Sequence, residues 1–389
     1  MKLFQSLLVA PAALGLMTPL AVGASEVNLD DISAYSDVDS IEFANSFGKD
    51  EINDNQLIAG GEGLVDDHSH DGSFSTTTTA SFSADFYLGA VDGGTAATND
   101  PFMLTYGFQI DLNTSFVEGD SFDVSIDAGN SSTATTGVTE FDGNATSDSL
   151  DVDGVSYTFP IGSANIFVAD NGDASALFTV ACDYGGPTNT LDDCGNVNAA
   201  PSSGGVATGA NYDFGNGFAV AIGYQATNGE EDQGIGTLES TDTYAFNASY
   251  EGDNFGVSLT AASYEDGEAV EGEDTYTAVN GYYAPDIDGF PSISVGYEIG
   301  DDDSKATLEE ITSFFVGLQW DEVGPGSLGL ALGHSGTIEG ADEEYMYEAY
   351  YEYPVNDGMT ITPLVFVKEV SDAGKDDTTG MMVKTTFSF

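Results

Sequence analysis

The chain has 389 residues, of which 66 are acidic and six are basic, so its formal net charge at neutral pH is −60. Such a negative field repels polyanions, which excludes nucleic acid as a partner. Disorder is excluded as well, because apolar residues make up 41% of the chain and aromatic residues 11%, with 24 phenylalanines and 19 tyrosines.

Residues 1–24 have the pattern of a secretory signal peptide. Lys2 precedes an apolar stretch, and the small residues 22–24 follow it. An N-terminal membrane anchor is disfavoured, because Pro11 and Pro19 interrupt an apolar stretch that is already short for a spanning helix. We therefore predict cleavage before Ser25 and export of the mature chain. No later window is apolar enough for a transmembrane helix.

Residues 25–72 form an acidic segment with few aromatic residues and no lasting periodicity, and we predict that it is weakly ordered. Its last part contains "DDHSHD", in which His68 and His70 are two residues apart. No third, distant ligand is apparent, so we predict a solvated linker here. We expect no metal site and no cofactor in the protein.

Residues 73–389 show two-residue alternation almost throughout. In "FMLTYGFQIDL" the apolar residues from Phe102 to Leu112 alternate with smaller or polar ones, and "FDVSIDAGN" repeats this after a short turn. The pattern marks about sixteen strands, an even number. Each has room for about ten residues, enough to cross a bilayer when tilted.

Two architectures explain one apolar and one hydrophilic face on each strand, namely a soluble sandwich and a membrane barrel. A sandwich would need a second set of apolar residues for its core. The second face of the strands instead carries Asp, Asn, Gln, Ser, Thr and Gly. Aromatic residues gather near strand ends, as in "YMYEAYYEY". The prediction is an all-β fold, a transmembrane antiparallel up-and-down β-barrel of about 16 strands.

Strand parity selects a set of side chains that point inward and carry the predicted mechanism. Rings of carboxylates in a pore favour cations, so we expect a water-filled channel that prefers cations or neutral solutes. The predicted pore-lining residues are Asp85, Gln109, Asp111, Asp123, Asp127, Asp213, Asn247, Glu298, Gln319, Glu348, Glu352 and Lys384.

The two cysteines, Cys182 and Cys194, lie in a segment rich in Gly, Asn and Asp, and export permits their oxidation. We predict a disulfide, which would contribute about 3 kcal/mol in the loop-entropy model. The surrounding residues 170–204 are either a constriction loop folded into the lumen or a surface loop. The sequence leaves both open.

Five pieces resemble one family: the leader "MKLFQSLLVAPAALGL", then "FSTTTTASFSADFYLGAV", "YGFQIDLNTSFVEGDSFDVSIDAGN", "VSYTFPIGSANIFVAD" and the closing "MMVKTTFSF". Together they resemble the outer-membrane porins of marine unicellular cyanobacteria, which are related to OprB-type carbohydrate-selective porins. The resemblance implies a sixteen-stranded outer-membrane barrel, usually a homotrimer, that passes small hydrophilic solutes such as carbohydrates and ions.

The same resemblance implies further partners, namely outer-membrane lipid and the barrel-assembly machinery, which would read Phe389 and Phe387 as a signal. The sequence departs from the family in two ways. Residues 25–72 are too short for the usual S-layer-homology domain and coiled coil, and no arginine is present to support anion preference.

No nucleophile elbow, phosphate loop or metalloprotease helix is found in the sequence, so we predict that the protein is not an enzyme. A salt-adapted exported hydrolase would explain the charge but not the alternation. The main alternative to a porin is a secreted, acidic, β-rich cell-surface or adhesin protein.

Overall fold

The computed structural model describes residues 77–93, 102–131, 140, 143–265, 273–302, 309–371 and 375–389. The predicted leader, the segment 25–72 and its two histidines lie outside these ranges. In the part of the chain that the structure describes, no helix is long and apolar enough to cross a membrane.

The described residues form sixteen strands. They are β1 (Thr78–Asp92), β2 (Met103–Thr114), β3 (Ser121–Gly129), β4 (Asp151–Ile161), β5 (Ala164–Asp170), β6 (Val206–Asp213), β7 (Phe218–Ala226), β8 (Asp242–Glu251), β9 (Phe255–Glu265), β10 (Glu273–Tyr283), β11 (Ser292–Asp302), β12 (Glu309–Val323), β13 (Gly326–Ile338), β14 (Met346–Asn356), β15 (Met359–Lys368) and β16 (Thr378–Ser388).

Each strand pairs antiparallel with its neighbours in sequence, and β1 pairs with β16, so the sheet closes on itself. The predicted all-β barrel with sixteen strands is confirmed. The sandwich alternative is wrong, because a single closed sheet has no second layer against which to pack.

The barrel closes along β1 and β16. The N–H of Phe82 donates to the carbonyl of Phe389 at 2.9 Å, and the N–H of Phe389 donates back at 3.0 Å. Their rings stack at 5.8 Å between centroids, and Phe86 meets Phe387 edge-on at 6.1 Å. Both residues of the predicted assembly signal therefore lie at the closing seam, where they stabilise it.

The two faces of the sheet differ sharply where side chains alternate. On the outer face, apolar side chains are exposed, with Leu104 at 62%, Ile222 at 59% and Val279 at 57%. On the inner face, polar side chains such as Thr260 and Asn280 are buried. This arrangement inverts the usual one for a protein in water, where apolar side chains are inside.

The connections at the two ends of the barrel differ in length. Since consecutive strands alternate in direction, the short connections at 162–163, 324–325 and 357–358 lie at one end. Long ones, including 171–205 and 227–241, lie at the other. Short turns at one end and long connections at the other are typical of outer-membrane barrels.

One short turn, between β2 and β3, is organised by Asp120. Its carboxylate accepts hydrogen bonds from the N–H groups of Phe116 and Val117 and from the hydroxyls of Ser115 and Tyr157, at 2.7–3.0 Å. Desolvation acts to raise the pKa of Asp120, but the bonds from Tyr157 and the turn outweigh it and lower the pKa to about 2.

Candidate functional site

Residues 171–205, which connect β5 to β6, lie inside the barrel against its inner wall. We call this stretch the inner segment. Its backbone N–H groups donate in order to side chains of β7, β8, β9 and β11: Ala174 to Gln225 (3.0 Å), Thr179 to Asn247 (3.1 Å), Ala181 to Ser258 (2.9 Å) and Asp183 to Ser294 (2.8 Å). Of the two placements that the sequence left open, the structure shows the one inside the lumen.

Glycines in the wall let the inner segment approach the sheet closely. A Cβ atom added at Gly223 would lie 1.7 Å from the carbonyl oxygen of Ala174, and one added at Gly296 would lie 1.8 Å from that of Cys194. Both distances are far below van der Waals contact. Only glycine fits at these two wall positions while the inner segment keeps this path.

The second part of the inner segment, residues 194–205, runs back toward β6, and we call it the return arm. It is held by Glu298 of β11. The Glu298 carboxylate accepts from the N–H groups of Asn198 (2.8 Å) and Ala199 (2.7 Å) and from the side-chain amide of Asn198 (2.8 Å). The Tyr264 hydroxyl donates to the carbonyl of Asn198 at 2.6 Å. Glu298 is buried, and these bonds offset part of the cost of its desolvation.

The first part of the inner segment, residues 171–184, is the outgoing arm. It reaches β14 through Tyr184. The Tyr184 hydroxyl donates to Glu348 at 2.5 Å, and its ring lies 5.3 Å from that of Phe315 and 5.8 Å from that of Tyr350. Burial, reinforced by the adjacent Glu348 carboxylate, raises the pKa of Tyr184 above its usual range. The phenol therefore remains protonated and acts as a donor.

The two arms are joined covalently. Cys182 on the outgoing arm and Cys194 on the return arm form a disulfide that closes a sequence separation of 12 residues. Leu191, between them, is buried in the same apolar cluster as Phe315 and Met346. The inner segment is thus a braced loop with its own small core.

Two adjoining cavities lie between residues 185–192 of the inner segment and the opposite wall. Their volumes are about 320 and 390 Å³, and Gly186, Pro187 and Lys384 border both. We call the space they form the passage. Hydroxyls and charged groups dominate its lining. The β1 and β2 side contributes Ser83, Asp85, Tyr87 and Gln109, and the β14 to β16 side contributes Glu352, Thr360, Thr362, Thr386 and Ser388.

The charge along the passage is mostly negative. Asp85, Asp192 and Glu352 border it, and Lys384 is the only basic side chain among the described residues that do. The Lys384 ammonium lies 3.4 Å from the Asp85 carboxylate and 5.6 Å from the centre of the Tyr87 ring. Because Asp85 offsets the charge of Lys384, the remaining carboxylates set the sign of the local potential.

The structure divides the twelve residues of the predicted pore lining into groups. Four border the passage: Asp85, Gln109, Glu352 and Lys384. Asp111, Asp123 and Asp127 lie on the same inner face of β2 and β3, where Ser125 donates to Asp111 at 2.8 Å and Asn113 donates to Asp123 at 2.5 Å.

Three of the twelve, Asn247, Glu298 and Glu348, are on the inner face but do not face open lumen. Their exposed fractions are 1%, 1% and 5%, because the inner segment covers them and takes up their hydrogen bonds. The prediction that these three residues line the open pore is therefore corrected. Strand parity gave the direction of their side chains, but it could not reveal that the inner segment lies over them. Their role is to hold the inner segment.

The remaining two lie toward the end of the barrel with short turns. Asp213 accepts from the N–H of Gly215 at 2.7 Å and caps the turn that follows β6. Gln319 accepts from the Tyr350 hydroxyl at 2.6 Å and borders a separate cavity beside the turn at 284–290.

Sequence reasoning missed Gly186, Pro187 and Asp192, which border the passage from the inner segment. It also missed the hydroxyls of Thr360 and Thr386. Strand parity places both threonines on the inner face, but the predicted set included only charged and amide side chains. The residues of the inner segment carry no periodic signal that would indicate where they lie.

Comparison with known proteins gives a structural relationship. No protein-family model matches the chain. No curated protein matches its sequence. Among solved structures, OprB of Pseudomonas putida matches with a TM-score of 0.61 at 11% identity, over 80% of this chain and 94% of that one.

Two further solved structures match over 80% of this chain. An anion-selective porin from Comamonas acidovorans has a TM-score of 0.58 at 13% identity and is covered to 99%. A loop L8 deletion mutant of OmpT, an outer membrane protein of Vibrio cholerae, has a TM-score of 0.55 at 10% identity and is covered to 100%. At these identities the likeness establishes the fold, a sixteen-stranded barrel of the kind found in porins.

Proposed function

We propose that this protein is an outer-membrane porin, a water-filled channel through which small hydrophilic solutes diffuse passively. One observation carries the proposal: a closed barrel exposes apolar side chains on its outside and keeps a polar passage, narrowed by the inner segment, on its inside. The outer face suits lipid and the inner face suits water. The likeness to solved porins supports the same function.

The finer part of the proposal concerns selectivity. Among the described residues that border the passage, carboxylates outnumber the one lysine, Lys384, which is paired with Asp85. Carboxylates lining a pore concentrate cations and repel anions. We therefore infer that the channel prefers cations and neutral solutes, including carbohydrates. The anion selectivity in the name of the Comamonas porin is not transferred to this protein.

Purified protein reconstituted in planar lipid bilayers tests both parts. We expect discrete conductance steps and, under a KCl gradient, a reversal potential with the sign of a cation-selective pore. Lys384→Gln removes the basic residue of the passage and should shift the reversal potential further in that direction. Lys375→Gln removes the same charge from an exposed loop position and serves as the control.

Each part can fail separately. An absence of conductance steps from correctly folded protein contradicts the channel, and an anion-selective sign contradicts the assignment of selectivity alone. Swelling of proteoliposomes in neutral sugars tests carbohydrate passage. Failure to swell would remove carbohydrates from the proposed solutes.

Assembly is the last part of the proposal. A homotrimer is proposed on the resemblance to trimeric porins, and one solved OmpT structure is described as a trimer form. Phe387 and Phe389 are proposed as the signal for the barrel-assembly machinery. Native mass spectrometry tests the trimer, and the amount of Phe389→Ala protein inserted in the outer membrane tests the signal.

A further inference from the structure

The inner segment is fixed unevenly along its length. Residues 174–184 and 194–199 are held by polar side chains of β7 to β11 and of β14. In the stretch between them, residues 186–192, Gly186, Pro187 and Asp192 border the passage. Buried Leu191 anchors this stretch to the core, but an apolar contact is not directional and fixes its position less sharply than hydrogen bonds do.

One set of hydrogen bonds that holds this stretch converges on Glu140, which lies between β3 and β4. The Glu140 carboxylate accepts from the Thr190 hydroxyl at 2.7 Å and from the Thr190 N–H at 3.3 Å. The Glu140 carbonyl accepts from the N–H of Asn189 at 2.9 Å. Glu140 is buried, so these bonds form away from bulk water, where they are stronger.

Lys368, at the end of β15, connects this contact to the barrel wall. Its ammonium lies 2.8 Å from the second Glu140 oxygen and 3.1 Å from the Thr190 hydroxyl. Three separate parts of the chain therefore meet: the wall, the β3–β4 connection and the inner segment. Lys368 neutralises Glu140 and gives it a fixed point on the sheet.

We propose that Glu140 and Lys368 are positioning residues that hold residues 186–192 in place and thereby set the width of the passage. The inference rests on the proposed channel function. The contact between Glu140 and Lys368 lies outside the passage, yet it controls the dimensions of the passage. Asn189 and Thr190, which the pair holds, lie between Pro187 and Asp192, both of which border the passage.

The test compares Lys368→Met with Lys368→Arg and with the control Lys375→Met. Lys375 is exposed in the same connection between β15 and β16, so its replacement removes the same charge without touching the contact. Heat-dependent mobility on SDS gels confirms that each variant forms the barrel. Glu140→Gln, alone and with Lys368→Met, completes a double-mutant cycle.

Two readouts separate this inference from the channel proposal. Hydrogen exchange of the Asn189 and Thr190 amides does not require conduction. It should be about tenfold faster in Lys368→Met, because Glu140, whose carbonyl and carboxylate accept from these two amides, loses its ion-pair partner on the barrel wall. Single-channel recordings of the same variant should show a changed conductance with more open-channel noise. Lys368→Arg should restore both, and Lys375→Met should resemble the unmodified protein.

The inference is overturned if exchange at Asn189 and Thr190 is unchanged in correctly folded Lys368→Met and Glu140→Gln. It is overturned equally if exchange rises while conductance and noise stay the same, since the pair would then not set the width. Additive effects in the double variant would show that the two residues do not act together. Absence of any conductance in the unmodified protein defeats the channel proposal but leaves the exchange result interpretable.

Discussion

Replacing Glu298 with alanine should release the return arm of the inner segment from the wall. In the intact protein, the Glu298 carboxylate is 1% exposed and accepts three hydrogen bonds of 2.7–2.8 Å from Asn198 and Ala199. The substitution leaves the buried N–H of Ala199 and the partly buried N–H of Asn198 without their acceptor. It also leaves a space next to them that is open to filling by water.

The size of the effect follows from those two N–H groups. A buried donor left unpaired costs about 1–3 kcal/mol, so two cost about 2–6 kcal/mol. Water that enters from the lumen can replace part of the lost hydrogen bonding. The cost is therefore expected at the lower end of this range, about 2–3 kcal/mol. Since about 1.4 kcal/mol corresponds to a factor of ten, amide exchange at Asn198 and Ala199 should accelerate roughly 30- to 100-fold.

Hydrogen exchange followed by mass spectrometry of peptides covering 195–201 measures this directly. Glu298→Gln keeps one carbonyl oxygen for the two backbone donors, so its exchange should rise by less than about tenfold. Glu251→Ala removes a glutamate that is exposed on β8 and is the matched control. Exchange in peptides from β2 and β3 should be the same in all three variants.

The reasoning is refuted if correctly folded Glu298→Ala protein exchanges residues 198–199 as slowly as the unmodified protein does. Equal acceleration in Glu251→Ala would also refute it, because the effect would then follow total charge and not the anchoring bonds.

Three further predictions concern single contacts. Replacing Cys182 and Cys194 by serine should destabilise the inner segment by about 2–3 kcal/mol, measured as faster exchange of peptides within 183–193, with no change in β1. Tyr184→Phe removes the donor to buried Glu348 and should lower stability by about 1–3 kcal/mol in guanidinium unfolding; an unchanged midpoint would contradict this. The Asp120 pKa is lowered to about 2, so its bonds stabilise the turn fully above about pH 4 and are lost as the pH falls toward 2. The difference between unmodified protein and Asp120→Ala should shrink over that window; a difference independent of pH would contradict it.

Much of the barrel could be predicted because each of its strands carries its own signal. Alternation places Leu104 outward and Thr105 inward by local geometry alone, without knowledge of any partner strand. The same rule predicted that Asp85 and Lys384 point inward, and both border the passage. Their mutual contact at 3.4 Å joins strands far apart in sequence and was not predictable.

The strand rule fails at Asn247, Glu298 and Glu348, which point inward yet are covered. Their partners lie 68, 100 and 164 residues away in the inner segment. The segment has no repeating pattern, and most of its bonds to Asn247 and Glu298 run from backbone N–H groups, which every residue except proline offers. Nothing in the local sequence could therefore indicate which wall residues it meets.

The sequence by itself determined the period-two alternation, the number of strands and the dominance of carboxylates, because these depend only on residue type and on neighbours along the chain. The tertiary structure alone decided where the inner segment runs, which half of the inner wall it covers and how much space is left beside Lys384. These outcomes depend on hydrogen bonds and close contacts between distant residues, whose pairing is fixed only once the sheet has closed.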